Sequence, residues 1–394
     1  MSTDSVVIVG TGVAGATAAL ALRTGGYDGD VTLIGRDPHL PYRRPTLSKD
    51  VLLAGMPVEK ALIKPAEHWS DIGVTVRTGV TVTGGETGPR TLELSDGSAL
   101  TYGSLVLATG GAARHLPGLP PGPRVRYLRD FADAVGLRDE LGRAGSVIVL
   151  GAGLIGSEVA SAAAKLGASV AVIEPAPLPL VRVVPPSIGE RLAALQRDAG
   201  IDLLLGVRPG EITVETDQVA VALPHGAALV ADVLVVAVGS AADTGLAERL
   251  ALRVDDGILV DERYRTSADG VYAIGDCARV PHPLEGGTYR AENWSAAQDQ
   301  GTAVAQVLLG ESPAPTVPWG WSAQFGAVLQ FAGWPAAEDA LEVDGSMDTS
   351  SSDAFFARCN RGGSFVGAIA MGRPKELRAA RGELAEQIAA AVVR

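Results

Sequence analysis

The feature that most constrains this chain is a duplication. "VVIVGTGVAGATAALAL" (Val6–Leu22) reads as an apolar strand, a glycine turn and an alanine-rich helix, and "SVIVLGAGLIGSEVASAAAKLG" (Ser146–Gly167) reads the same way. Gly10, Gly12 and Gly15, and again Gly151, Gly153 and Gly156, keep the G-x-G-x-x-G spacing. There the first glycine permits a tight turn, the second lets backbone approach a pyrophosphate, and the third lets the helix pack on its strand. The free N–H groups and positive dipole end of the helix then face the phosphates. Glycine turns also serve plain packing, but both copies sit between strand and helix, and the second has an acid downstream. That acid is Glu174, which closes the strand in "ASVAVIEPAP" 23 residues past Gly151 and suits an adenosine ribose. A carboxylate there repels a 2′-phosphate, so NAD is expected over NADP, although the nearby Arg182 leaves mixed use open.

Bulk properties narrow the class. A chain of 394 residues has room for two or three domains, and 47% apolar with 20% charged residues describes a globular protein. The net charge of -12 opposes nucleic acid as the main partner. No apolar run approaches the roughly 18–20 residues of a membrane span. The first strand begins at Ser5, ahead of which no signal peptide fits, so a cytoplasmic protein is expected. Cys277 and Cys359 stand alone and read as idle thiols, and His39, His68, His115, His225 and His282 lack ligand spacing. No metal is expected. Two dinucleotides without a metal or a cysteine pair suggest FAD and NADH exchanging a hydride.

The remaining signals fit that frame. "YGSLVLATGG" (Tyr102–Gly111) and "ADVLVVAVGS" (Ala231–Ser240) are apolar strands ending in small residues that let backbone lie against a cofactor. "TSADGVYAIGDCA" (Thr266–Ala278) is a strand ending at Gly275 and Asp276, which suits a hydroxyl-rich ligand or, equally, an ordinary turn. "PYRRPTLSKD" (Pro41–Asp50) reads as a rigid loop, because proline lacks a backbone donor, and it delivers one cation, Lys49.

Taken in order, these segments resemble the FAD-dependent, NADH-using ferredoxin reductases that serve oxygenases and cytochromes P450, with the apoptosis-inducing factors as more distant relatives. The resemblance rests on the Gly10 motif, "PYRRPTLSKD", "LATG" (107–110), the Gly151 motif with Glu158, "VYAIGD" (271–276), "ENWSAAQDQG" (292–301) and "VPWGWSAQF" (317–325). It implies an α/β, glutathione-reductase-like fold with two Rossmann-like dinucleotide-binding domains. An FAD domain would comprise 1–112 and 240–316, an NAD domain 113–239, and a C-terminal α/β domain 317–394. "HLPGLPPGP" (His115–Pro123) suits the crossing between the first two.

The resemblance also implies site residues. Lys49 would lie beside the flavin and pair with Glu158. FAD contacts would come from Val13, Ala14, Arg44, Val82, Ala108, Thr109, Gly110, Arg129, Gly275, Asp276, Glu292, Asn293, Trp294 and Trp321. The FAD ribose acid falls on Arg36, with the acid itself one place on at Asp37. NADH would lie on Gly151, Gly153, Leu154, Ile155, Gly156, Glu174, Arg182, Val238 and Gly239. The implied acceptor is a [2Fe–2S] ferredoxin, usually acidic, docking on Arg43, Arg44 and Arg290 near Trp319, with the protein a monomer or homodimer. Three departures stand out: Arg43 replaces a common acid, and Gly320 and Ala323 replace an aromatic and a carboxylate. They leave two other readings open: a flavoprotein reducing a small molecule or oxygen directly, and a redox-sensing interaction protein.

Overall fold

This computed structural model describes residues 5–348 and 354–392. The elements that carry the site are strands β1 (Ser5–Val9), β2 (Asp30–Gly35), β3 (Val74–Thr78), β4 (Ser104–Leu107), β5 (Val125–Arg126), β6 (Ser146–Leu150), β7 (Ser169–Glu174), β8 (Asp202–Leu205), β9 (Val233–Val236) and β10 (Val271–Ala273). A third unit adds β11 (Trp319–Gln324), β12 (Ala327–Gly333), β13 (Ala340–Gly345), β14 (Phe355–Arg361) and β15 (Ser364–Met371). The helices that matter are α1 (Val13–Thr24), α2 (Phe131–Leu141), α3 (Leu154–Lys165), α4 (Trp294–Leu308) and α5 (Pro374–Val392).

Runs such as Val6–Val9 and Val147–Leu150 are apolar on both faces, which suits strands covered on both sides. They form two parallel sheets of matching topology. The first runs β10–β4–β1–β2–β3 and the second β5–β9–β6–β7–β8, each with the glycine-motif strand at its centre. Leu22, Leu33 and Ile148, each almost fully buried, contribute about 1.5–3 kcal/mol apiece through burial. Gly111–Ala113 and Ser240–Ala242 pair antiparallel, so the chain leaves the first sheet and returns to it along one two-stranded ribbon.

The third sheet, β11–β12–β15–β14–β13, is antiparallel and packs against α5. Its first hairpin turns through Phe325 and Gly326, at φ 49° and 79°, the double positive φ that a tight two-residue turn needs. Left-handed backbone costs Phe325 about 1–2 kcal/mol. Its side chain packs into a core shared by Tyr42, Leu47, Phe131 and Val159, and its N–H donates to Ser161 Oγ at 2.8 Å. That core therefore joins residues of all three sheet units.

One expectation is corrected here. Arg44 to Ala54 is helical, in a 3-10 turn, a π-helical turn over Leu47–Val51 and a short α-turn. Pro45 falls in the first turn, where no backbone donor is needed, so it starts the helix instead of barring it. No helix among the described residues is long and apolar enough to cross a membrane.

The glycine turns show which positions tolerate a side chain. Gly10 has φ 124°, and a Cβ there would lie 2.0 Å from the Ala108 carbonyl; Gly151 repeats this at φ 101° and 2.5 Å from the Ala237 carbonyl. A Cβ on Gly12 meets no atom within 4 Å. Gly10→Ala is therefore expected to cost at least about 1–3 kcal/mol and to lower the thermal midpoint by several degrees. Gly12→Ala should unfold like the parent protein; equal losses in the two variants would refute this assignment.

Candidate functional site

The first glycine turn opens onto a cavity of about 340 Å³. Its walls include Gly10, Gly12, Val13, Ala14, Arg36, Asp37, Arg44, Ala108, Thr109, Gly110, Arg129, Gly275 and Asp276, so most of the FAD positions expected from the sequence converge here. No side chain caps the start of α1, whose first N–H groups have no partner within the helix. Arg44 and Arg129 stand together: Arg44 Nη1 donates to the Arg129 carbonyl at 2.5 Å, and Arg129 Nη2 donates to Asp276 Oδ2 at 3.1 Å. Burial first, and the Arg129 charge next, push the Arg44 guanidinium below its usual range. Arg129 Nε is buried without a hydrogen-bond partner. An uncapped helix start, two crowded guanidinium groups and the open space at Gly12 fit an anionic pyrophosphate.

A second cavity, of about 210 Å³, shares Val13, Arg44, Arg129, Asp276 and Ala297 with the first, so one ligand can extend through both. It brings Lys49, Leu154, Ile155, Glu158, Glu292, Asn293, Trp294 and Trp321 together. Lys49 Nζ donates to Glu158 Oε2 at 2.7 Å, and Glu158 is only 5% exposed. Ser48 Oγ also donates to Oε2, while Ser322 Oγ (2.8 Å) and the Ala323 N–H (3.3 Å) donate to Oε1. A carboxylate offers about four lone-pair sites, and here each oxygen receives two donors.

Strand β11 forms the far wall. The Trp319 N–H donates to Ser295 Oγ of α4 at 3.1 Å, and that hydroxyl donates to the Trp319 carbonyl. The Trp319 and Trp321 rings stack at 5.5 Å. Gly320, where the resemblance leads one to expect an aromatic, lies opposite Phe331 of β12. A Cβ on Gly320 would come within 2.6 Å of that ring, and Phe331 itself lines the chamber. The aromatic wall is thus supplied from the neighbouring strand, and the room left by the glycine is filled.

The second glycine turn lies on the outer side of this chamber. No side chain caps α3, and Glu174 is held by the N–H groups of Ala152 and Ala176, each at 2.8 Å. Arg182 reaches to within 3.8 Å of where a Gly239 Cβ would stand, beside Val238. Gly151, Gly153, Gly156, Glu174, Arg182, Val238 and Gly239 line neither cavity, and Leu154 and Ile155 connect the two regions.

Several expected contacts have other duties. Val82 is buried in the core and reaches neither cavity. The Asn293 carboxamide caps α4 by accepting from the Ala296 N–H at 2.9 Å. Glu292 accepts from Ser240 Oγ and from Arg290. Arg36 pairs with Asp243 at 2.9 Å, and the Asp37 oxygens accept from the Tyr42 hydroxyl and the His39 N–H. Arg290 is tied to Asp256 and Glu292 and only 10% exposed, and Arg44 faces the cleft; Arg43 is the exposed one of the three docking arginines, its guanidinium donating to the Lys60 and Ala61 carbonyls. Cys277 and Cys359 are free and buried, and burial pushes the Cys359 thiol up to about 12, with Asp339 adding to the shift. Sequence reasoning missed Ser48, Ser322 and Phe331. The two serines sit inside quoted motifs, but nothing local marks them as partners of Glu158.

Fold and site together define a reductase with two dinucleotide-type glycine turns, a buried lysine–carboxylate pair and a separate antiparallel sheet that walls the chamber. Comparison with known proteins agrees. Residues 4–301 match the model of the pyridine nucleotide-disulphide oxidoreductase family, and residues 319–393 match the reductase C-terminal model. The chain belongs to the pyridine nucleotide-disulphide oxidoreductase family, with a glutathione-reductase-like architecture. It is 36% identical to rhodocoxin reductase of Rhodococcus erythropolis over 389 residues, 98% of this chain and 90% of that one. It is 38% identical over 333 residues to the ferredoxin–NAD(+) reductase subunit of the benzene 1,2-dioxygenase system of Pseudomonas putida, covering 84% and 80%. Among solved structures it matches the covalent putidaredoxin reductase–putidaredoxin complex with TM-score 0.93 and 32% identity, covering 98% and 94%.

The Lys49–Glu158 pair gives a direct test. Lys49→Met leaves a buried carboxylate without its cation, at a cost of up to about 3–5 kcal/mol, less what Ser48, Ser322 and the Ala323 amide retain. Adding Glu158→Gln should recover part of the lost thermal stability. A double variant less stable than Lys49→Met would contradict the pairing.

Proposed function

We propose that this protein is an FAD-dependent NADH:ferredoxin oxidoreductase, passing electrons to a [2Fe–2S] ferredoxin that serves a cytochrome P450 or another oxygenase. The observation that carries the reading is the Lys49–Glu158 ion pair, placed where the cavity of the first glycine turn meets the start of the second motif's helix. The relatives named for ferredoxin and dioxygenase systems support it.

The residues divide the work. The start of α1, with Arg44 and Arg129, would hold the FAD pyrophosphate, and Asp276 orients Arg129. Glu174, pinned by two backbone donors, keeps acceptor capacity for the ribose of NADH and disfavours a 2′-phosphate. Leu154, Ile155, Trp321 and Phe331 exclude water around the reacting rings. Lys49 would place a positive charge beside the flavin, and Glu158 holds the ammonium in the chamber. Bound FAD would supply the chemistry that joins a two-electron hydride donor to a one-electron carrier.

We assign FAD binding to 1–112 and 240–316, NAD binding to 113–239 and the third unit to 317–394; the ribbon of Gly111–Ala113 with Ser240–Ala242 supports the first two boundaries. Buried free thiols fit a reducing cytoplasm, where the protein acts as a monomer or homodimer. The rival, direct reduction of a small molecule, draws on room at Gly320, but the Phe331 ring occupies that room.

The deciding experiment is an absorbance titration of the purified protein. A flavin spectrum bleached by NADH and restored by a [2Fe–2S] ferredoxin is expected, and Arg43→Glu should raise the KM for ferredoxin several-fold. Colourless protein that takes up no FAD, or NADH oxidation indifferent to every ferredoxin, would overturn the proposal. Glu174→Ala should narrow the preference for NADH over NADPH by about tenfold or more, read as the ratio of kcat/KM values.

A further inference from the structure

We propose that Ser48 and Ser322 are positioning residues that grip the Glu158 carboxylate from opposite sides and so set the location and effective charge of Lys49 in the chamber. Only the catalytic part of this inference rests on the proposed function; the grip is a property of the polypeptide alone.

The two serines reach Glu158 from distant parts of the chain. Ser48 and Lys49 are consecutive on the Leu47–Val51 turn, and both donate to Oε2. Ser322 lies on β11 and donates to Oε1 at 2.8 Å. Its own oxygen accepts from Gln324 Nε2 at 3.1 Å, which leaves the hydroxyl proton free to point at the carboxylate. Ser322 is 0% exposed and Ser48 7%, so no bulk water replaces either donor.

The backbone keeps this arrangement in register. Glu158 and Ser161 are one turn apart on α3 and so share a face. Ser322 and Ala323 meet the first, and the Phe325 N–H meets the second at 2.8 Å. Strand β11 is thereby fastened to α3 at two points, and the placement of Ser322 follows from the hairpin. Each oxygen of Glu158 is committed to its own set of donors, so the carboxylate cannot rotate towards Lys49 with both oxygens. Hydrogen bonds to an ionised group are the strong kind, and losing one from a buried carboxylate frees it to rearrange.

A merely structural role would make Ser322 act independently of Glu158, whereas positioning requires it to act through Glu158. Ser322→Ala and Ser48→Ala are therefore made in the parent protein and in a Glu158→Ala background. In the parent, Ser322→Ala is expected to slow flavin reduction by NADH about tenfold in stopped flow. The flavin midpoint potential should shift while the Kd for NADH stays within about twofold of the parent value. In the Glu158→Ala background both changes should vanish. Equal losses in the two backgrounds, or a parent-like rate and potential, would overturn the proposal. Should Ser322→Ala fail to fold, Ser48→Ala, read the same way, decides. Thermal midpoints of the four proteins of the cycle, measured without added cofactor, test the grip even if the protein proves not to bind FAD. Less-than-additive losses for Ser322→Ala and Glu158→Ala support it, and additive losses refute it.

Discussion

A carboxylate that is 5% exposed sits where three parts of the chain meet, and most of the site depends on it. Taking such a charge out of water costs several kcal/mol unless partners compensate. Here the compensation is assembled from the Leu47–Val51 turn and from the first strand of the third sheet, while the carboxylate itself rides on α3. None of these segments can satisfy Glu158 alone. The charge therefore acts as a condition on assembly: the chamber exists only when all three units are docked correctly. The apolar core around Tyr42, Leu47, Phe131, Val159 and Phe325 supplies cohesion at the same junction, and the ion network supplies register.

The glycine turn at the first sheet solves a different problem. It presents unpaired N–H groups and two guanidinium groups of like charge to the same cavity. Burial first, and the neighbouring Arg129 charge second, disfavour the charged Arg44, an arrangement that suits an anion in the cavity. Asp276 partly offsets the like charges through Arg129, which keeps the site foldable before any ligand arrives. The second turn has no such cationic pair, and its polar group is the carboxylate of Glu174, fixed by backbone donors. One motif thus carries a crowded pair of guanidinium groups in its first copy and a backbone-held carboxylate in its second.

What could be read in the sequence was what is local. The two strand–turn–helix units, their sheets and the Glu174 acid follow from spacing and apolar runs, because those patterns act over a few residues. The Lys49–Glu158 pair was reachable only through resemblance, since nothing near either residue announces the other. The misreadings were also physical. Proline counts against a helix interior but not a helix start, so Pro45 was misjudged. Gly320 looked like a gap because a one-dimensional reading cannot see Phe331 directly opposite on the next strand. Arg290 reads as a free surface cation because Asp256, 34 residues earlier in the chain, meets it only in the folded structure, and the nearby Glu292 does not by itself announce an ion pair.

The wall formed by β11 is fastened at both ends. Its beginning is tied to α4 through Ser295 and Trp319, and its end to α3 through Ser322, Ala323 and Phe325. Moving that wall would break a buried hydrogen-bonded charge, among the most expensive local changes a fold can make. The aromatic side of the chamber is therefore held closed by electrostatics as well as by packing. The side bounded by Leu154 and Ile155 is different: Ile155 is 43% exposed, and the helix that begins there carries no side-chain cap.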